Sequence, residues 1–270
     1  MPKRRVPRKQ SRYQALIEKI FFDHYKKGAN EVRFVRTEFE AAAKQLRIKL
    51  PKNLGDAVYA MRYRAPLPER LIALQTIGHE WIIDGIARGQ YAFRLTKISR
   101  VVPNPDLITI KVPDATPELI SAHALSDEQA LLAKVRYNRL IDIFLGIASY
   151  SLQNHLRTAL KSGVQIEIDE VYVGVDRLGR QFVIPVQAKG GNDQLSPVQA
   201  KQDISCCAEK FPTLICRAVS AQFMADQRIA LFELTLENGA VKVVSEVHYR
   251  LVPAEQITAE DLASYSVRKT

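Results

Sequence analysis

Residues 164–192, VQIEIDEVYVGVDRLGRQFVIPVQAKGGN, hold the pattern that most limits how this chain can fold. Two alternating apolar runs, 164–175 and 181–188, flank Asp176, Arg177, Leu178 and Gly179, the signature of a β-hairpin with a glycine-containing turn. Side chains along a strand repeat every two residues, so the hairpin decides which groups share a face. In the second run Gln187 and Lys189 point one way, and Phe182, Ile184, Val186 and Ala188 the other. In the first run Glu167 and Asp169 share a face and Glu170 takes the opposite one. At least one carboxylate therefore emerges beside Gln187 and Lys189, and the alternation leaves open which of the three it is.

An acid, an amide and an amine around one point are the parts a metal-dependent phosphodiesterase uses. A carboxylate and a second oxygen ligand hold Mg²⁺, which lowers the pKa of a bound water, while a lysine orients the nucleophile or offsets the charge developing on phosphate. Glu and Lys on a solvated sheet face are the structural alternative. Two features favour a site: the acids interrupt an otherwise buried-looking strand, and Lys189 ends an apolar run just before Gly190-Gly191-Asn192.

The acidic strand, the hairpin and Gln187-Ala188-Lys189 resemble the PD-(D/E)xK nuclease core in the Q-x-K variant of Mrr-like restriction enzymes, over residues 126–224. The sequence departs from that pattern twice: it has no Pro-Asp pair, and Gln187 stands where a carboxylate is usual. The resemblance implies an Mg²⁺-dependent endonuclease acting on double-stranded DNA, of type II restriction character, leaving 5′-phosphate and 3′-hydroxyl ends. It implies Asp169 and Glu170 as metal ligands, Gln187 completing the shell through its carbonyl oxygen, and Lys189 positioning water. A twofold homodimer is expected for a palindromic target.

Composition fits a nucleic-acid partner. The 270 residues have room for two cores, and the formal net charge of +10 favours a polyanion. No apolar run is long enough to span a membrane, and the basic N-terminus MPKRRVPRKQ has no apolar segment behind it, so a soluble cytoplasmic protein is expected. Cys206, Cys207 and Cys216 lack zinc-site spacing and the five histidines are scattered, which argues against a zinc centre or a disulfide framework. Phosphate-loop, dinucleotide and nucleophile-elbow motifs are absent.

The expected fold is α/β (α+β): a winged helix-turn-helix at the N-terminus joined to a mixed-sheet nuclease core. Residues 1–100 form the basic arm and DNA-binding domain, 101–120 a linker, and 121–270 the nuclease domain. The arm carries Lys3, Arg4, Arg5, Arg8 and Lys9 and either follows a phosphate backbone or merely solubilises. Ser11 with Gln14 caps a first helix, Thr37 with Glu40 opens a second, and a third follows Pro51 with Asn53 as its cap. On the third, Arg62, Tyr63 and Arg64 present a face for the major groove. The runs 80–86 and 90–96 form the wing, with Arg88 at its tip as a phosphate contact.

Pro103, Pro105, Pro113 and Pro117 mark the linker around a strand-like run, 107–112. A helix capped by Ser126 and Gln129 then runs to Gly146, with Asp142 as a possible extra acid. The segment 149–158 carries Gln153, Asn154, His155 and Arg157, suited to phosphate and base-edge contacts, on an amphipathic helix as the plainer alternative. A helix over 196–210, a strand over 214–223 and a hairpin about Asn238-Gly239 complete the chain. Two rival functions stand beside the restriction nuclease: a DNA-binding regulator with a non-catalytic α/β domain, and a junction resolvase-like nuclease.

Overall fold

The computed structural model describes residues 11–50, 58, 61, 66–97, 101–123, 128–190, 193–224 and 226–266. The chain divides into two compact units, Met1–Ile98 with Lys161–Gln165, and Ser99–Leu160 with Ile166–Thr270. The architecture is α+β, with a small helix and strand unit followed by a mixed β-sheet flanked by helices. Among the described residues no helix is long and apolar enough to cross a membrane.

In the first unit helix α1 (Arg12–His24) begins with the capping box read from the sequence: Ser11 Oγ accepts from the Gln14 amide at 3.2 Å, and Gln14 Oε1 accepts from the Ser11 amide at 2.9 Å. Strand β1 (Glu31–Val35) follows, in a stretch between the first two helices to which the sequence reading assigns no element. Five residues give too little alternation to register, yet Val32 and Phe34 are buried and pair opposite Phe93 and Tyr91. Helix α2 (Glu38–Leu46) forms, but Thr37 makes no side-chain cap; Glu38 instead accepts from the Val35 amide at 2.8 Å. After the short helix α3 (Glu69–Ile72), strands β2 (His79–Ala87) and β3 (Gln90–Lys97) complete a sheet of order β1-β3-β2. Its core joins Leu16, Phe21, Phe34, Phe39, Trp81 and Phe93, and includes Val58 and Met61 from the third helical stretch. Arg62, Tyr63 and Arg64, with Asn53, lie outside the described residues. At the β2–β3 turn the Arg88 side chain is exposed while its amide donates to the Ser162 carbonyl at 3.1 Å. Gly163 has φ +81° there, and a Cβ on it would fall 2.7 Å from that of Arg88, so glycine is required on both counts.

The second unit holds a sheet of order β4-β11-β10-β9-β7-β6-β5, with the short β8 (Ile215–Cys216) also beside β7. Its first strand, β4 (Thr109–Pro113), lies in the proline-marked stretch 101–120 and pairs in parallel with β11 (Ala240–Val252), and helix α4 (Glu118–His123) begins within that stretch. The helix expected to run to Gly146 is two, α5 (Glu128–Tyr137) and α6 (Leu140–Leu145). Arg139 between them has φ 50°, and the Asn138 side chain donates to the Lys134 carbonyl and Thr116 Oγ1 and accepts from the Ala115 amide, which ties the end of α5 to the chain before it. Ser126 lies outside the described residues. The segment 149–158 belongs to strand β5 (Ala148–Ala159), not to a helix. This is an outer strand exposed along most of its length, so no buried stripe imposes a period on its sequence.

Strands β6 (Gln165–Val175) and β7 (Gln181–Lys189) form the hairpin read from the sequence, with Gly179 at φ +77° in the turn. Helix α7 (Pro197–Lys210) then returns the chain to β9 (Ala218–Phe223), which lies parallel to β7, and β10 (Ile229–Glu237) follows. The hairpin of β10 and β11 turns at Asn238 and Gly239, both with positive φ, as a two-residue connection needs. Pro185 sits inside β7, where a missing amide normally weakens a ladder. Here the neighbour of β7 changes from β8, paired at Phe182 and Val183, to β9, paired from Val186 onward, so the proline falls where neither ladder uses it. Helices α5 and α6 pack Leu131, Leu132, Val135, Leu140 and Ile141 against Ile184, Val186, Ala188, Val219 and Ala221. Ala200 of α7 packs on Ala218, Ala230 and Phe232, whose side chains leave the opposite face.

Phe93 is fully buried, with its ring centroid 5.0 Å from that of Phe21 and 4.9 Å from that of Phe34. Phe93→Ala should destabilise the first unit by about 3–5 kcal/mol. Trp81, the single tryptophan, lies 5.1 Å from Phe21 and reports this unit alone by fluorescence during urea unfolding. A loss under about 1 kcal/mol would mean that the aromatic cluster is not the core of the unit.

Candidate active site

The ladder between β6 and β7 is regular from Val175↔Gln181 to Glu170↔Val186 and stops there. Beyond that pair side chains take over the bonding. The Ala188 amide donates to Asp169 Oδ2 at 2.8 Å, and Gln187 Nε2 donates to the Glu167 carbonyl at 3.0 Å. Backbone groups at a buried seam need partners, and here the partners are functional-group atoms of Asp169 and Gln187. Lys189, 9% exposed, closes the strand and places Nζ 3.4 Å from Glu128 Oε1 at the start of α5.

Of the three acids left open by the alternation, Asp169 joins Gln187 and Lys189. Burial raises its carboxyl pKa above the usual range, while the Ala188 amide and Lys189 pull it down and Glu128 pushes it up. Glu170 does not join them. It is fully buried on the face covered by α5, accepting from Arg136 Nε at 2.8 Å and Ser151 Oγ at 2.5 Å. Strand alternation sends it to the other side of the sheet from Gln187 and Lys189, and Arg136 pairs with it there. Glu167 contributes its carbonyl to Gln187, while its carboxylate pairs with Arg157 at 3.0 Å and lies 3.8 Å from His155. Asn154 accepts from Arg136 at 3.0 Å, and Gln153, His155 and Arg157 are exposed on β5. Asp142 bonds Ser149 and Arg139 at the junction of α6 and β5, which gives it a structural role at that corner.

Two acids not singled out from the sequence reach the same place. Glu128 pairs with Lys189, and Asp203 of α7 lies against Gln187 with 3% of its surface exposed. Asp203 had a legible signal: it occupies the buried stripe of an amphipathic helix, between Ala200 and Cys206–Cys207, where an apolar residue is the norm. Its Oδ1 is buried without a hydrogen-bond partner. Burial pushes its carboxyl well above the usual range, the Gln187 amide opposes this, and Asp169 adds to it.

Asp169, Gln187 and Asp203 offer hard oxygen donors, the type that Mg²⁺ takes. Among the described residues no group of three His, Cys, Asp or Glu side chains stands ready to hold a metal ion. Compared with known proteins, the chain matches no family model, no curated protein and no solved structure.

The raised pKa of Asp203 sets the sign of a pH effect. Between its unfolded and folded values the native state holds the extra proton, so stability falls as pH rises through that window and is fully present below the unfolded value. With EDTA present, Asp203→Asn should remove this decline, melting higher than the parent at pH 8 and level with it at pH 4. Parallel melting curves for both proteins across that range would show that the carboxylate is not buried in this way.

Proposed function

We propose that the chain is a Mg²⁺-dependent DNA endonuclease whose second unit is a PD-(D/E)xK-like core and whose first unit is a winged-helix-like DNA reader. The observation that carries this reading is the seam between β6 and β7, where Asp169, Gln187 and Lys189 meet. The order around it supports the same reading: helices, strand β5 beside β6, the antiparallel pair of β6 and β7, a helix, then a strand parallel to β7. In the first unit, the succession of helix, strand and helix before a hairpin, with β1 laid against β3, supports a winged helix.

Asp169 and Gln187 would hold the cation. The Asp169 carboxylate spends one oxygen on the Ala188 amide and keeps the other for a ligand. Gln187 spends an amide N–H on the Glu167 carbonyl, which turns Oε1 away from that bond. When bound, Mg²⁺ supplies Lewis acidity and lowers the pKa of a coordinated water. Lys189 brings a desolvated positive charge to a phosphate or an attacking water, and Glu128 holds its ammonium in place. Exposed Arg88 on the wing turn, and Gln153, His155 and Arg157 on β5, are the DNA contacts in this reading. Restriction-type cutting of both strands needs two such sites and hence a twofold homodimer.

Lys189→Ala should keep near-normal duplex affinity in Ca²⁺ while cleavage with Mg²⁺ falls about a hundredfold or more. Unchanged cleavage rejects the site, and a protein that shifts DNA mobility without ever breaking the backbone is a regulator instead. The two adjacent acids separate cleanly. Asp169→Asn should abolish cleavage in a folded protein, whereas Glu170→Gln should retain cleavage and lose stability by about 1.5–3 kcal/mol, the scale of a charge-assisted hydrogen bond. Equal loss of cleavage in both would place the reactive acid elsewhere.

A further inference from the structure

We propose that Asp203 supplies the second negative charge of the divalent-cation site, standing in from helix α7 for the carboxylate that Gln187 is not. The inference rests on the nuclease reading and deepens it.

Charge is the starting point. Asp169 and Gln187 bring one formal negative charge to a divalent ion, and Mg²⁺ sites built from one carboxylate and a neutral amide hold their ion weakly. Directly against Gln187, α7 presents a carboxylate buried to 3% exposure with Oδ1 bonded to nothing. The nearest cation does not neutralise it by contact, since Lys189 Nζ bonds Glu128. Glu170, whose Oε2 is likewise unbonded, differs in its charge partner: Arg136 and the Ser151 hydroxyl both reach its Oε1, whereas Asp203 has only the Gln187 amide beside it. A buried carboxylate without such partners costs several kcal/mol, and chains carry one where a ligand completes it.

The placement of Asp203 also settles Gln187. With one amide N–H on the Glu167 carbonyl and the other turned to Asp203, the carbonyl oxygen of Gln187 is the atom presented to a cation. Asp203 is thus both a source of charge and a positioning residue for the amide.

The test uses the full-length protein and Mn²⁺ as the probe, its free concentration read by electron paramagnetic resonance without DNA. Asp203→Asn should weaken Mn²⁺ binding by about tenfold or more, the scale of losing a supporting group at a metal site. The double variant Q187E/D203N returns the carboxylate to position 187 and should recover binding to within about threefold of the parent, tenfold being about 1.4 kcal/mol. Unchanged binding in Asp203→Asn, or a double variant no better than the single, overturns the proposal while leaving the nuclease reading in place. An Asp203→Asn protein that does not fold in EDTA also overturns it, since the carboxylate would then be a structural acceptor. A parent protein that binds no Mn²⁺ overturns both.

Discussion

The site depends on where two strands stop pairing. From Glu170↔Val186 inward, β6 and β7 share an ordinary antiparallel ladder; past it the backbone groups of Glu167 and Ala188 are left without strand partners. A buried carbonyl or amide left unpaired costs about 1–3 kcal/mol, so the sequence at the seam must carry side chains that can bond to the main chain. Asp169 takes the Ala188 amide and Gln187 takes the Glu167 carbonyl. Both side chains are thereby fixed in direction by the same bonds that hold the strands together. A group so held needs little reorganisation to meet a ligand, which is what a preorganised site requires.

The two faces of the sheet treat buried charge in opposite ways. Under α5, Glu170 Oε1 accepts from Arg136 and Ser151, and Arg136 reaches on to Asn154, so acid, helix and outer strand are bonded into one network. Burial there is compatible with stability because the ion is paired and hydrogen-bonded. Tyr172 next to it has its hydroxyl pKa raised by burial and by Glu170, so it stays neutral and adds no second charge. Under α7, Asp203 has the Gln187 amide beside it and no ion pair, and burial pushes its carboxyl well above the usual range. A fold that keeps one buried acid without an ion pair and pairs the other with an arginine has given up stability selectively, and such sacrifices concentrate where ligands bind.

How much of this was legible in the sequence follows from where periodicity is strong. The three hairpins, β2 with β3, β6 with β7 and β10 with β11, were readable because two apolar runs flank a glycine-containing turn in each. The placement of Gln187 and Lys189 on one face came from the same alternation. Strand β5 was not readable, since an outer strand exposed on both faces has no apolar rhythm, and β1 was too short to show one. The break at Asn138-Arg139 was hidden because Leu140, Ile141 and Phe144 continue an apolar stripe while the backbone turns at a positive φ that no glycine announces. Alternation narrowed the acids to opposite faces but could not say which face held the amide; that took the register. Glu128 and Asp203 come from helices on either side of the hairpin, and only the packed structure brings them to it.

Charge on the whole chain and protonation at the site act in succession on the nuclease reading. A net charge of +10 draws a polyanion toward the protein over distances of about a Debye length, roughly 8–10 Å at physiological salt. At the seam, burial holds the carboxyls of Asp169 and Asp203 above their usual range and Lys189 is paired with Glu128, so without a cation the site offers a phosphate little net charge. A divalent cation favours the ionised carboxylates and would displace their protons as it binds, bringing positive charge to the point where the phosphate must sit. Scaffold charge thus serves encounter, and productive contact is conditional on the metal.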